Sequence, residues 1–172
     1  MTKFRMSKYD PKYRINGAYT LDDWTAISDI GQVFNNKVLT QSEYLRVEGE
    51  YIACIEELLK ANNIANCRID MLEKHRKIAI VKWSNGMLLF GDRLLQFVQD
   101  CLREKCWGRL IAEDFYIHFG YDYYVYIGCL LEKRSCQEIV KKHGLFYEQM
   151  HSPYAFEEFE EEDDEDTIPG GA

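Results

Sequence analysis

Residues 113–129 read EDFYIHFGYDYYVYIGC, and the reading of this stretch decides the fold. Phe115, Ile117 and Phe119 alternate with Tyr116 and His118. After Gly120-Tyr121-Asp122, Tyr123, Val125 and Ile127 alternate with Tyr124 and Tyr126. A period of two belongs to a β-strand with one buried face. The pattern predicts an antiparallel hairpin over about 113–129, turning near Gly120. If Phe115, Ile117, Phe119, Val125 and Ile127 face a core, then Tyr116, His118, Tyr124 and Tyr126 share the opposite face.

Working outward, TQSE at 40–43 has the form of a capping box, with Thr40 capping and Glu43 reaching back. Behind it Tyr44, Val47, Tyr51, Ile55 and Leu58 recur at spacings of three and four, which predicts a helix to about Ala61. A second amphipathic helix is expected from Asp92 to Cys106, ended by Gly108. Cys67–Met71 alternates as a strand. Ile78–Trp83 has β character, and Asn85-Gly86 is a hairpin signal pointing to a partner strand at Met87–Phe90. TLDD at 20–23 suggests a short helix to about Ile30 with Thr20 as its cap, and Asn35-Asn36 a turn. SCQE at 135–138 reads as a further capping box, opening a short helix that runs to Gly144. Together these features predict an α+β class, with an antiparallel sheet built on the central hairpin and packed against two long amphipathic helices. Residues 1–19 read as a polar leader, 20–155 as one domain and 156–172 as a disordered acidic tail.

Composition narrows the function classes. Of the 172 residues 47% are hydrophobic, enough for a core, yet no apolar run approaches the ~18 residues of a membrane span. The leader carries Lys3, Arg5 and Lys8 with no apolar segment behind them, unlike a secretory signal. The six cysteines form no CxxC pair and are read as reduced and structural. Cys101 and Cys106 have a poor spacing for zinc. The net charge of −8 arises from 21 basic and 29 acidic residues, and nine of those acids lie in 157–166 (EEFEEEDDED). Without them the balance is 21 against 29 − 9 = 20, so the body is close to neutral. Acidity belongs to the tail.

No nucleotide-binding glycine motif, GxSxG elbow or HExxH occurs. His118, four residues before Asp122, is the one histidine in a suggestive setting: a strand residue among aromatics, a partner contact, or an acid–base group oriented by Asp122. The tyrosine-rich face suits either an interface or a surface covered by another element. Base stacking on it would call for neighbouring lysines or arginines, and HFGYDYYVYIG has none. The acidic run either keeps the chain soluble or meets a basic surface on a partner.

Three blocks, YTLDDWTAISDIG (19–31), LTQSEYLRVEGEYI (39–52) and FYIHFGYDYYVYIG (115–128), resemble small bacterial immunity proteins encoded beside polymorphic or contact-dependent inhibition toxins. The resemblance implies a cytoplasmic, non-catalytic protein that binds one cognate toxin, often a nuclease with a basic cleft. It carries over no residue roles. The expected partner is thus the toxin or another basic protein, with no cofactor, metal, nucleic acid or membrane. The expected contact residues are Tyr116, His118, Tyr121, Asp122, Tyr124 and Tyr126, with Glu160, Glu161, Glu162, Asp163 and Asp164 of the tail. An adaptor for a basic protein, or a small enzyme using His118, are the competing expectations.

Overall fold

The computed structural model describes residues 1–74 and 82–155. In chain order its main elements are β1 (Thr2–Ser7), α1 (Gln41–Ala61), β2 (Asn66–Lys74), β3 (Leu88–Phe90), α2 (Gly91–Leu102), β4 (Cys106–Ala112), β5 (Phe115–Phe119), β6 (Val125–Cys129), α3 (Lys133–Lys142) and β7 (Phe146–Gln149). The strands form one seven-stranded sheet, ordered β7-β1-β6-β5-β4-β2-β3. Every neighbouring pair in it is antiparallel. Side chains from all three helices and from one face of the sheet make a single core, in which Phe4, Tyr44, Tyr51, Ile55, Phe97 and Ile117 are among the buried members. This is the expected α+β class, with the predicted hairpin at the centre of the sheet. Among the described residues no helix is long and apolar enough to cross a membrane.

The expected polar leader is instead an inner strand. Phe4 and Met6 of β1 are fully buried, and β1 pairs with β6 on one side and β7 on the other. Lys3, Arg5 and Ser7 alternate with them onto the other face, where Arg5 pairs with Glu148. The expected helix over 20–30 is replaced by a 3-10 turn at Ile27–Asp29. Local side chains compete with helical hydrogen bonding there. Asp29 accepts the Thr25 and Ala26 N–H groups at 2.8 and 3.1 Å, and Asp23 accepts the Trp24 N–H at 2.8 Å. Thr20 caps nothing; its hydroxyl donates to the Tyr13 carbonyl, beside the small Arg14–Ile15/Ala18–Tyr19 hairpin.

α1 runs as expected from Thr40, whose hydroxyl accepts the Glu43 N–H at 3.1 Å. The Glu43 carboxylate turns to Arg46 instead of back to the cap. α2 stops at Leu102, short of the expected Cys106. Glu104 takes a left-handed conformation, and the Lys105 and Glu104 N–H groups bond the Asp100 and Cys101 carbonyls. That is a Schellman ending built on a glutamate in place of glycine. Gly108 lies inside β4, where a methyl group would press on the Phe97 ring. α3 begins at Lys133, so SCQE is interior to it, and it ends at Lys142, short of the expected Gly144, which lies just beyond in the left-handed conformation. The Asn85-Gly86 turn exists, but β3 pairs with β2. Of the expected strand over 78–83, residues 78–81 lie outside the described residues.

The central hairpin turns on Asp122 and Tyr123, both with positive φ, and the Tyr124 N–H bonds the Tyr121 carbonyl at 3.1 Å. Gly120 serves close packing instead: a methyl group there would sit 3.1 Å from the Tyr124 carbonyl and the Tyr126 ring. The turn drives the Tyr123 ring into the core, edge-on to Trp24, Tyr44 and Tyr51.

Candidate functional site

The helices leave the opposite face of the sheet open, and registered pairing lays its side chains in rows across the strands. One row runs Glu148, Arg5, Tyr126, His118, Arg109, Asp70, each the Cα partner of the next. A parallel row runs Lys3, Gly128, Tyr116, Ile111, Arg68, Leu88. The two rows meet different fates.

The first row is covered by the chain itself. At its centre Ser152 comes down on His118, with Oγ 2.8 Å from Nδ1. Tyr154 lies edge-on to Trp107 and Tyr126, and its carbonyl accepts Arg109 Nη1 at 2.7 Å. Arg109 also pairs with Asp70. At the other end the segment before α1 folds over Tyr124. Arg5 and Arg14 lie with their guanidinium carbons 4.5 and 5.3 Å from the Tyr124 ring centre, and both bond Glu148. A cation held against an aromatic face and a shared carboxylate makes a closed network, not a free surface.

This arrangement separates the expected contact residues. Tyr126 and His118 are buried, and Tyr124 is half-buried between the two arginines. Tyr116 is half-buried and stacks on His118, ring centres 4.2 Å apart. Gly128 makes that stack possible, because any Cβ there would overlap the Tyr116 ring. Tyr121 and Asp122 are exposed at the hairpin turn, with Tyr121 at 68%. The tyrosine-rich face is therefore mostly covered, the second of the two expectations for it, though by residues 151–155 and the segment before α1 and not by a helix. Glu160, Glu161, Glu162, Asp163 and Asp164 lie outside the described residues.

His118 has a depressed pKa, about 4 against an ordinary 6.5. Burial is the main cause, the Arg109 charge adds to it, and Asp70 opposes it weakly. The imidazole is thus neutral near pH 7. Asp122 does not orient it: its carbonyl takes the Tyr9 hydroxyl at 2.8 Å on the turn. Ser152 is the hydrogen-bonded neighbour, and its Oγ also accepts the Tyr154 N–H at 3.1 Å, the geometry of a turn-forming serine. A serine and a neutral histidine without an orienting carboxylate lack the third member of an acyl-transfer triad.

The second row is the accessible one. Lys3, Ile111 and Tyr116 are half-buried and Arg68 is exposed. At the sheet edge Leu88 and Phe90 are 50% and 53% exposed. Part of this row, with Arg109 and His118 of the first, lines a cleft of about 760 Å³ that Met1, His151, Ser152, Pro153 and Ala155 also border. Among the described residues no cluster of three or more histidine, cysteine or acidic side chains is placed to hold a metal ion.

Several of these residues escaped the sequence reading. Lys3 and Arg5 alternate with Phe4 and Met6, a usable strand signal that their charge disguises. Nothing local marks Arg109 or Ser152, since their roles depend on a segment 40 or so positions away folding back.

No protein-family model, curated protein or solved structure matches this chain.

Proposed function

We propose that the chain is a non-catalytic binding protein of the immunity type, acting in the cytoplasm and neutralising a cognate toxin, a nuclease domain, by direct contact. The accessible second row carries this reading: Tyr116, Ile111, Arg68 and Leu88, with Phe90 beside them at the edge, stand on paired strands with apolar surface open to solvent. Exposed aromatic and aliphatic side chains beside an arginine, on a scaffold that loses little entropy on docking, suit a tight interface. Ala155 lines the neighbouring cleft, and Glu157 follows two residues later. The charge of the acidic run that follows in the sequence adds attraction toward a basic nuclease cleft.

The test is capture from the native source with the wild-type chain, a Leu88→Asp/Phe90→Asp variant and a 157–172 truncation in parallel. The reading expects one stoichiometric partner held at high salt, toxic when expressed alone and harmless beside the wild-type chain. It expects protection to be lost with the double variant, whose altered side chains are exposed enough to leave folding intact. A partner that stays bound and neutralised by the double variant refutes the use of this row. Capture of a non-toxic partner refutes the immunity reading.

A further inference from the structure

All six cysteines are buried free thiols, and four of them meet in two pairs. Cys129 at the end of β6 has its sulfur 3.6 Å from that of Cys136 on α3, and Cys101 of α2 has its sulfur 3.9 Å from that of Cys106 on β4. We infer that Cys129 and Cys136 form an oxidisable dithiol that hydroperoxides convert to an intramolecular disulfide, fastening the central sheet to α3.

Geometry favours this pair. Six residues separate the two cysteines in the chain, so the sulfurs belong to one short β-to-α connection and approach without moving distant elements. They need to close by about 1.5 Å to reach bonding distance. Leu130, next to Cys129, is 65% exposed, so a local opening of residues 130–132 admits a molecule the size of hydrogen peroxide.

Chemistry favours it too, because the thiolate is the nucleophile. Contact with the Cys136 sulfur, helped by the Leu131 backbone and the Asn62 side chain, lowers the Cys129 thiol against the pull of burial. The same contact, with burial, pushes the Cys136 thiol up. One member is thus ready to ionise and the other to hold a proton. In the second pair burial pushes the Cys101 thiol far up, which keeps it protonated.

The steps balance. The Cys129 thiolate attacks one oxygen of hydrogen peroxide, the O–O bond breaks, and hydroxide leaves and is protonated. Cys129 becomes a sulfenic acid. Cys136 then gives up its proton and attacks the Cys129 sulfur, the S–O bond breaks, and water departs. Two thiols are oxidised to one disulfide and the peroxide is reduced to two waters.

The measurement is a thiol count, intact mass and peptide map of the native full-length chain after limited hydrogen peroxide. Free thiols should fall from six to 6 − 2 = four, with the loss of two hydrogen masses mapped to Cys129–Cys136 and reversed by a dithiol reductant. In Cys136→Ser, Cys129 should stop at the sulfenic acid and be trapped by dimedone, whereas Cys101→Ser should bridge like the wild type. Six remaining thiols, or a Cys101–Cys106 bridge forming as fast or faster, overturn the inference. The wild-type map decides this without any variant having to fold.

Discussion

Glu48 sits among the buried side chains of α1, 2% exposed, where the helix faces its neighbours. Its carboxylate takes Arg103 through two nitrogens at 2.7 Å, Gln99 at 2.9 Å and the Tyr44 hydroxyl at 3.1 Å, and Tyr123 donates in turn to Tyr44. The network ties α1, α2 and the hairpin turn together. Truncating one partner of a buried ion pair leaves the other charge uncompensated. Glu48→Ala should therefore cost about 3 kcal/mol in urea unfolding, at the low end because Arg103 keeps some contact with water. Glu48→Met with Arg103→Met should cost less than Glu48→Ala alone; equal or greater cost would show that the pair itself stabilises the fold. His118 gives a second residue-level test. The unfolded chain binds a proton on this histidine near pH 6.5, whereas the folded chain refuses it until about pH 4. The unfolded state thus holds more protons inside that window, so stability is full above it and falls as pH drops through it. The loss amounts to about 3 kcal/mol by the low end of the window. Between about pH 7 and about pH 4.5, His118→Asn should lose distinctly less stability than the wild type. Parallel losses in the two chains would mean that His118 does not ionise on unfolding.

Pairs of strands impose their own requirements. Gly128 on β6 lies opposite Tyr116 on β5, and the ring occupies the space of a side chain. Gly128→Ala should cost about 1–3 kcal/mol by forcing the ring off His118, and Tyr116→Ala in the same chain should recover most of that cost. A simple sum of the two single effects would rule out the steric account. The elements also differ in how plainly the sequence announces them. β5 and β6 were legible because five apolar residues alternate with polar ones over a long run, and α1 because its stripe follows a clean cap. β1 was not, because TKFRMS carries lysine, arginine and serine on a face that looks solvated until Glu148 and Tyr126 arrive from the far end of the chain. β7 is four residues long and too short to show a period. The helix ends shifted for a similar reason: Glu104 adopts the conformation usually reserved for glycine, so the true stop of α2 had no glycine to mark it. The candidate site was half legible. Alternation correctly put Tyr116, His118 and Tyr126 on one face, but whether that face meets solvent depends on residues 151–155 and on the segment before α1.

Over the whole molecule, the sheet joins distant parts of the sequence: β1 is held between β6 and β7, which come far later in the chain. Removing residues 1–7 should abolish cooperative unfolding altogether, since it strips Phe4 and Met6 from the core and leaves facing edges of β6 and β7 unpaired. A truncated chain that still melts in one sharp transition by circular dichroism would demote β1 to an accessory strand. The same arrangement sets a clock on biosynthesis. A ribosome adding ~5–20 residues per second needs roughly 6–25 s to travel from Ser7 to Cys129, and longer to reach β7. Throughout that interval the apolar side of β1 has been made without either neighbour, so this strand waits long to find its place, and the nascent chain depends on helpers or on speed to keep it from pairing elsewhere.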